Sequence, residues 1–394
     1  MKKLLLLGGS HRDIPLIKAA KELGFFVITL GDRDYYLGHN YADKYYKIDF
    51  NDEKRVTAVI KNEQVYALVP GSGEDCYIKT VKLAHELGLG NFDELETAKL
   101  VHNKWKFKEF CLKNDIATPD GIFYEQNLDI TSLCLPIAVK PTNLSGGRGI
   151  KIATSIDELT EAITSAKEYA DEVFLENFID GPLISYSIFL KDQKVSYEFL
   201  AKDDVFINQY KITTAYPIRL ADEITKRLKQ DIEKIAKLLN LVDGMFHVQA
   251  IVENNVPKII DVCRRIPGDF YPDLIEYVDK IEYSKSVIKS YIGESFDLDL
   301  EKSGKQKFVI RHCVMSSKNG KFIDIEIDNS IKSQIISRYD LIDSGSDIED
   351  FINEQISIIF IGLLWRITKI WRMQRIHHGG IGHGDGPINQ LQSL

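Results

Sequence analysis

The first hundred residues alternate between short apolar segments and helical patterns, and this rhythm constrains the fold more than any other feature of the sequence. Short apolar runs predict buried strands at 4–7, 25–30 and 67–70. Apolar residues at helical spacing predict helices at 14–23, 56–61 and 79–87. Strands that alternate with helices form parallel sheets covered on both faces. The alternation therefore predicts a parallel, doubly wound α/β domain at the start of the chain.

Beyond residue 91 the pattern changes to α+β, with strands that pair through short turns. Two hairpins are predicted, with strands at 184–190 and 195–200, and at 245–252 and 257–262. Other strands are predicted at 136–140, 150–153, 173–179, 307–314, 322–327 and 356–360. Helices are predicted at 94–114, 156–170 and 224–239. The last three strands in chain order indicate a small antiparallel unit after the central region.

Charge and composition exclude several classes of protein. The 394 residues include 50 Lys and Arg and 58 Asp and Glu, which gives a formal net charge of -8. The average apolar content excludes disordered, collagen-like and coiled-coil chains. An acidic balance argues against a nucleic-acid partner, because phosphate backbones bind to clustered basic faces. No run reaches the roughly 18 apolar residues of a membrane span.

The N-terminus and the cysteines indicate a cytoplasmic location. The run of four leucines near the N-terminus is too short for the apolar region of a signal peptide. The five cysteines are scattered and never spaced as C-x-x-C. This usage fits free thiols in a reducing compartment and gives no sign of a disulfide frame or a structural zinc site.

Gly8, Gly9 and Ser10 follow the first strand in the way a dinucleotide fingerprint would, and Asp32 after the second strand would suit a ribose. The G-x-G-x-x-G pattern, however, needs glycine where Ser10 and Asp13 stand. We therefore favour a tight strand-to-helix turn, and a dinucleotide-dependent oxidoreductase is disfavoured.

The loop PTNLSGGRGI lies between two predicted strands and has the composition of a phosphate-binding loop. Backbone N–H groups and the guanidinium of Arg148 could face a phosphate, and Lys140 at the end of the preceding strand adds a second cation. The loop is not a P-loop, because the G-x-x-x-x-G-K-[ST] spacing is absent and a strand follows.

The second hairpin ends in IIDVCRRIPGD, which places a carboxylate beside two guanidiniums. Asp261 could hold a cation while Arg264 and Arg265 hold anionic oxygens. Gln249 lies on the partner strand and could face the same site. His247, two residues earlier, fits a packed histidine better than a catalytic one. Nothing in the sequence marks a base for Cys263 as a nucleophile.

The order of these motifs resembles that of the ATP-grasp ligases, in the branch of biotin carboxylase and the large subunit of carbamoyl-phosphate synthase. The resemblance spans roughly residues 1–350. The motifs that carry it read HNKWKFKEFCLKNDIATPD, PIAVKPTNLSGGRGI, VFLENFIDGPLISYS, MFHVQAIVEN and PKIIDVCRRIPGD. The resemblance implies a Rossmann-like pre-ATP-grasp domain at 1–100 and an ATP-grasp domain at 101–292, with lobes at about 101–172 and 173–292. A C-terminal β-rich unit at 293–361 and an atypical terminal segment at 362–394 complete the expected organisation.

The resemblance also implies a role for each matching residue. Lys104 and Lys140 contact the phosphates of ATP, and Gln249 and Asp261 are the Mg²⁺ ligands, with Mn²⁺ as an alternative metal. Arg265 lies near the γ-phosphate and the acceptor. The expected catalytic residues are Arg264, Arg265 and Lys140. The mobile phosphate loop comprises Ser145, Gly146, Gly147, Arg148 and Gly149, and the hinge that meets adenine comprises Glu176, Asn177, Phe178 and Ile179.

Four positions depart from the family pattern. Gln249 and Cys263 stand where the family usually has Glu and Asn, and Leu183 stands where it commonly has a ribose-binding Glu. The family also has Glu at Asp261. An amide oxygen can still bind Mg²⁺, which relies partly on substrate phosphates and water, whereas a thiol is a poor magnesium ligand.

The implied function is an ATP-dependent ligase of the ADP-forming, EC 6.3 type that joins a carboxylate to an amine or another nucleophile through an acyl phosphate. Amino-acid ligation and amidation of a sugar acid in surface-polysaccharide assembly both fit. The expected partners are small-molecule carboxylates and amines, and a homodimer is compatible with the resemblance. The departures keep open a non-catalytic ATP-binding sensor or subunit as the alternative.

The C-terminal remainder does not continue the family pattern. Residues 362–375 carry four cations at three-residue spacing, for which a packed or frayed terminal helix is favoured over a membrane-surface helix. The following residues, 377–394, are rich in glycine and predict a flexible tail.

Overall fold

The computed structural model describes residues 1–142, 149–206, 211–298, 308–350, 355–362 and 374–379. Within these ranges the strands form four sheets. None of the helices in these ranges has the length and apolarity that a bilayer span requires.

The N-terminal domain is built on a four-stranded parallel sheet, as the alternating pattern predicts. The strand order is β3-β2-β1-β4, and each neighbouring pair is parallel. Its strands are β1 (Lys3–Leu7), β2 (Phe26–Gly31), β3 (Lys44–Lys47) and β4 (Ala67–Pro70). Its helices are α1 (Ile14–Glu22), α2 (Glu53–Glu63), α3 (Glu74–Leu87) and α4 (Leu95–His102). The parallel α/β prediction is confirmed, although β3 was not among the predicted strands.

Gly8 and Gly9, after β1, form a tight turn whose backbone N–H groups bind a side chain of the protein itself. The Asp13 carboxylate accepts hydrogen bonds from the backbone N–H groups of Gly9 (2.8 Å), Ser10 (2.9 Å) and Ser72 (2.7 Å). A Cβ atom on Gly9 would stand 2.1 Å from the ring of His39, so this position requires glycine. These donors are the ones that a dinucleotide pyrophosphate would need, and the tight-turn interpretation is therefore confirmed.

A second sheet of four antiparallel strands follows, in the order β5-β8-β6-β7. Its strands are β5 (Gly121–Phe123), β6 (Ile137–Pro141), β7 (Lys151–Ala153) and β8 (Val173–Asn177). Helix α5 (Lys104–Lys113) precedes it, and helix α6 (Ile156–Lys167) packs on it through Leu159, Ala162 and Ile163. The amphipathic pattern of α6 places these side chains on one face, against the apolar side of β6 and β8.

The third sheet has eight strands, in the order β13-β12-β9-β10-β11-β14-β18-β16, and all neighbouring pairs are antiparallel. Its first five strands in the chain are β9 (Leu183–Lys191), β10 (Lys194–Val205), β11 (Ile212–Pro217), β12 (Gly244–Glu253) and β13 (Val256–Cys263). The others are β14 (Val309–Val314), β16 (Ile335–Asp340) and β18 (Ser357–Gly362). Helices α7 (Asp222–Leu238), α8 (Tyr271–Asp279) and α9 (Tyr283–Tyr291) flank it.

The two faces of this large sheet have separate cores. Alternate residues of a strand point to opposite faces, so Ile184, Tyr186 and Ile188 of β9 pack with α5 and α7. Phe189 faces the other way, toward α8, α9 and the N-terminal domain. Strand β14 pairs directly with β11, so the sheet is continuous across the boundary expected at residue 293. The division of the chain into units stays a prediction.

The C-terminal strands complete the fold. A three-stranded sheet of order β17-β15-β19 contains β15 (Gly320–Ile327), β17 (Asp347–Ile348) and β19 (Gln374–Gly379). A short helix α10 (Asn329–Lys332) follows β15. Strand β19 pairs with β15 through backbone hydrogen bonds, which corrects the terminal-tail prediction for residues 374–379. Residues 363–373 and 380–394 lie outside the described ranges.

Candidate active site

The predicted metal ligands face each other on neighbouring strands. Gln249 of β12 and Asp261 of β13 are register partners, and Ser185 of β9 is the partner of Gln249 on its other side. Directly opposed residues of antiparallel strands project to the same face. These side chains therefore form a polar row on the sheet face that also carries Phe189.

A cleft of about 170 Å³ opens over this row. Gln249, Asp261 and His247 lie on its sheet side, and Arg265, Asp269 and Tyr271 follow β13 along the chain and line it as well. Glu74, at the start of α3 in the N-terminal domain, also lines the cleft, as does Arg311 of β14. The cleft thus collects residues from the N-terminal domain, the central region and the C-terminal strands.

The residues at Gln249 and Asp261 suit a hard cation such as Mg²⁺. They offer one amide oxygen and one carboxylate, the donor types that Mg²⁺ prefers. No group of three or more His, Cys, Asp and Glu side chains with metal-binding geometry occurs in the described part of the chain. A metal held here would therefore take its remaining ligands from water and from bound phosphates.

Lys104 lies beside the metal ligands. It is the first residue of α5, and its Nζ atom lies 3.2 Å from Oδ2 of Asp261. The negative charge of Asp261 raises the pKa of Lys104, which keeps the ammonium charged. A cation beside the predicted metal-binding carboxylate could meet a triphosphate, and the phosphate-binding role of Lys104 stays a prediction.

Lys140 and Glu176 lie together, and a third residue, Lys108, joins them. The two oxygens of Glu176 accept one hydrogen bond each from Lys108 and Lys140. Burial acts to raise the pKa of Glu176, but the two ammonium groups outweigh it and hold that pKa below its ordinary value. Burial lowers the pKa of Lys108. The shared carboxylate therefore fixes the side chain of Lys140, near the end of β6, beside the first residue of the predicted hinge.

The hinge and the loop are only partly described. Asn177 and Phe178 are exposed at the end of β8, whereas Ile179 is buried. The N–H groups of Asn177 and Phe178 donate to backbone carbonyls of Asp120 (2.9 Å) and Pro136 (3.0 Å). Gly149 has a φ of 75°, a left-handed conformation that glycine adopts without strain. Ser145, Gly146, Gly147 and Arg148 lie outside the described residues.

Arg265 and Arg264 have different surroundings although they are adjacent. Arg265 lines the cleft, and its Nη2 atom lies 3.7 Å from Oε1 of Glu74. Within the described part of the chain, its buried Nε atom has no hydrogen-bond partner. Arg264 is 3% exposed and binds Asp93 through Nε (2.8 Å) and Nη2 (3.3 Å). Its other N–H groups donate to the carbonyls of Val242, Gly244 and Met245. All donors of Arg264 are thus used inside the protein and none is left for a substrate in this structure, so a catalytic role for Arg264 stays a prediction without geometric support.

Both the imidazole of His247 and the thiol of Cys263, which line the cleft, are neutral. Burial lowers the pKa of His247 to about 3, and its Nδ1 atom lies 2.7 Å from Oγ of Ser187. Burial raises the pKa of the Cys263 thiol, whose Sγ atom donates to the carbonyl of Arg265. These surroundings agree with a packed histidine and an unreactive thiol.

Sequence reasoning missed Glu74, Lys108, Tyr271 and Arg311. Lys108 could have been found from its spacing, since it follows Lys104 by four residues and must share its helix face. The alternation of side chains along a strand could have distinguished Arg265 from Arg264. Arg265 is an even number of residues from Asp261 and Cys263, and alternate residues of a strand point to the same face. Nothing local marks Glu74 or Arg311, which reach the cleft only through long-range packing.

Comparisons with known proteins agree with this geometry. Residues 105–269 match the family described as D-ala D-ala ligase C-terminus. The carbamoyl phosphate synthase large chain of Saccharolobus solfataricus is 25% identical over 297 residues, which cover 67% of this chain and 27% of that protein. The chain thus spans about a quarter of that relative's length.

Solved structures match almost the whole chain. An L-amino acid ligase from Bacillus licheniformis has a TM-score of 0.81 at 16% identity, covering 96% of this chain and 99% of the other. The biotin carboxylase domain dimer of the Hydrogenobacter thermophilus 2-oxoglutarate carboxylase, in complex with MgADP and bicarbonate, has a TM-score of 0.76 at 17% identity, covering 96% and 91%. The chain therefore has the fold of the ATP-grasp proteins over almost its whole length, and its central region is similar in sequence to ligases of that fold.

Proposed function

We propose that the protein is an ATP-dependent ligase that joins a carboxylate to an amine through an acyl phosphate, with release of ADP and phosphate. The observation that carries the proposal is the meeting of Lys104, Asp261, Gln249 and Arg265 at one cleft. This arrangement combines oxygen ligands for a metal with cations for a triphosphate. The dissimilar substrates of its structural relatives are the reason to leave the acceptor open at this level.

In this proposal ATP binds between the second and third sheets, with its phosphates toward Lys104 and Lys140. Gln249 and Asp261 would hold Mg²⁺, and Mn²⁺ has the same preference for such oxygen ligands. The metal would supply charge neutralisation at the phosphates. The roles implied for residues 145–149 and 176–179 stay predictions.

The chain's own side chains would do the remaining work by positioning and by charge. Lys104 leaves Asp261 to meet a phosphate oxygen, which frees the carboxylate for the metal. Arg265, with an unused Nε donor, is oriented to hold the reacting carboxylate beside the γ-phosphate. The carboxylate oxygen attacks the γ-phosphorus, and the bond between that phosphorus and the β-bridging oxygen breaks. An amine then displaces phosphate from the acyl carbon.

The test is a product assay with Mg-ATP. The protein is incubated with a panel of amino acids, sugar acids and simple amines, and ADP, AMP and phosphate are measured separately. We expect ADP and phosphate in equal amounts, dependent on a panel member and lost in Lys140→Ala. Lys106→Ala, on the exposed side of α5, is the matched control and should retain the activity.

Two results would contradict the proposal. AMP and pyrophosphate as products would exclude an acyl-phosphate route. Tight ATP binding without turnover on any panel member would favour the alternative, a nucleotide-binding sensor or subunit, which Gln249 and Cys263 already suggest by their departure from the family pattern.

A further inference from the structure

The cleft extends past the predicted metal ligands to the C-terminal part of the sheet. Beyond Ser185, the same face of the sheet carries Asp203 of β10 and Ala215 of β11, which are register partners, and then Arg311 of β14, the partner of Ala215. Serine and alanine are small, so the face leaves room above them. Arg311 closes this far end of the cleft.

Arg311 is a buried cation with unused hydrogen-bonding capacity. It is 2% exposed and lines the cleft, yet its Nε atom has no hydrogen-bond partner among the residues that the structure describes. The Nε atom of Arg265, at the near end, has none either. Buried polar groups are normally hydrogen-bonded. Two guanidinium donors without partners in one cleft therefore indicate that anionic oxygens of bound substrates lie at both ends of the space.

The charge of Arg311 is only partly compensated by the protein. Its Nη1 atom donates to the backbone carbonyl of Asp269 at 3.1 Å and lies 3.9 Å from Oδ2 of that residue. Asp269 is itself shared, because its Oδ1 atom lies 3.3 Å from Nε of Arg12 and 3.7 Å from Nε2 of His11. The carboxylate of Asp203 is buried behind Ser185, which donates a hydrogen bond to it. None of these neighbours accepts a hydrogen bond from Nε of Arg311, so this donor is available to an anionic oxygen of a ligand.

The chemistry of the cleft indicates the class of its second occupant. The proposed ligase reaction needs an amine, and the Nε donor of Arg311 needs an anionic oxygen. An α-amino acid carries an amino group and a carboxylate on the same carbon atom, so one small molecule supplies both groups.

We propose that the far end of this cleft binds a small α-amino acid as the amine substrate, through an ion pair between its carboxylate and the Arg311 guanidinium. This inference rests on the proposed ligase function. The amino group then points back toward Arg265 and the metal ligands. After losing one proton to solvent, the amine forms the C–N bond, the bond from the acyl carbon to the phosphate oxygen breaks, and the departing phosphate takes the second amine proton.

The first experiment measures binding without turnover. L-alanine, glycine and L-alaninamide are titrated calorimetrically into the protein saturated with magnesium and β,γ-imido-ATP. We expect the two amino acids to bind and L-alaninamide, which lacks the carboxylate, to bind roughly 10- to 100-fold more weakly, as for loss of a charged hydrogen-bonded pair. Arg311→Met should weaken L-alanine binding by a similar factor and remove the preference over L-alaninamide.

Matched variants separate recognition from folding. Arg311→Lys keeps the charge but not the planar pair of donors, and an intermediate affinity is expected. Arg338→Met removes an exposed arginine that pairs with Asp340 on β16 and should leave L-alanine binding unchanged. An unaltered affinity of Arg311→Met for the nucleotide analogue shows that the fold is retained.

The outcomes distinguish failure of the amino-acid site at Arg311 from failure of the ligase function. Equal affinities for L-alanine and L-alaninamide, or an unchanged affinity in both Arg311 variants, overturn the inference, as does failure of wild type to bind either amino acid. Binding that depends on Arg311, followed by no ADP release with Mg-ATP and any panel carboxylate, contradicts the ligase function and leaves the amino-acid site standing.

Discussion

Lys108 of α5 and Glu176 of β8 form an ion pair in which both side chains are less than a tenth exposed. Lys140 of β6 shares the same carboxylate. One turn earlier on α5, Lys104 pairs with Asp261. Helix α5 therefore joins the sheet of the predicted nucleotide hinge to the sheet of the predicted metal ligands, through two lysines on one face.

Removal of Lys108 should weaken ATP binding although it need not touch ATP. In Lys108→Met, Glu176 depends on Lys140 alone, so the ammonium of Lys140 is less available to phosphates. We expect a several-fold increase in the Kd for ATP, little change for adenosine, and a loss of about 1–3 kcal/mol in the free energy of unfolding. Nucleotide titration and urea denaturation measure the two effects.

Helix α5 also supplies a control for the effect of Lys108. Lys106→Met removes an exposed lysine and should change neither quantity. If Lys108 acts through Lys140, its removal should have no further effect on ATP binding in a Lys140→Met background. An equal loss of affinity for adenosine and ATP in Lys108→Met would mean that the lysine only supports the fold.

Substitutions of the two predicted metal ligands, Asp261 and Gln249, should change Mg²⁺-dependent ATP binding in opposite directions. Asp261→Asn should weaken Mg²⁺-dependent ATP binding by tenfold or more, because the site loses the carboxylate that faces Gln249. Gln249→Glu should lower the Mg²⁺ concentration needed for half-maximal ATP binding, because it adds a negative charge beside Asp261. ATP titrations at a series of Mg²⁺ concentrations measure both shifts.

Asp222→Asn, an exposed carboxylate at the start of α7, is the matched control for the charge change. An unaltered magnesium dependence in Asp261→Asn would show that the ligand assignment is wrong, whatever the effect of Gln249→Glu.

The hairpins and the parallel sheet could be predicted because their signals are local. Asp192 and Gln193 both have positive φ in the turn between β9 and β10, as do Asn254 and Asn255 between β12 and β13. Two successive left-handed residues define the turn that matches strand twist, and Asn and Asp adopt it readily. The polar turn residues between apolar strands therefore located both hairpins, and with them the positions of Gln249 and Asp261.

The remaining features depend on long-range pairing. Strand β16 alternates weakly between half-buried and exposed residues, so its sequence carries no clear apolar signal. The joining of β14 to β11 places Arg311 in the cleft across nearly a hundred residues of chain, a pairing that no periodicity encodes. The exclusion of Arg264 from the site likewise depends on Asp93, a partner 171 positions away.

The two adjacent arginines should respond oppositely to the same substitution. Arg264→Met leaves Asp93 buried without its partner, and we expect a loss of about 3–5 kcal/mol in the free energy of unfolding. Arg265→Met removes a group that lines the cleft and should reduce ADP release by at least tenfold with a much smaller loss of stability. Urea denaturation and the product assay, applied to both variants, give the comparison. A stable, inactive Arg264→Met protein would contradict the structural role of that arginine.

We expect Asp273 to lower the stability of the protein as pH rises, whereas an ordinary salt-bridged carboxylate raises it. Burial, with a smaller contribution from Glu276, raises the pKa of Asp273 to about 7, and the hydrogen bond from Tyr339 acts against this shift. In the unfolded chain the pKa is about 3.9. Between these values the native protein binds a proton that the unfolded chain has lost. The contribution of Asp273 to stability therefore falls as pH rises through this window.

Asp273→Asn removes this contribution while keeping an acceptor for the Tyr339 hydroxyl. The variant should match wild type near pH 4 and exceed it by a few kcal/mol above pH 7, as measured by urea denaturation across the range. Burial also raises the pKa of Glu276, so part of the slope should persist in the variant. Asp340→Asn, at an exposed carboxylate on β16, is the control and should keep the full wild-type slope. If Asp273→Asn keeps that full slope as well, Asp273 is ionised in the native protein at neutral pH.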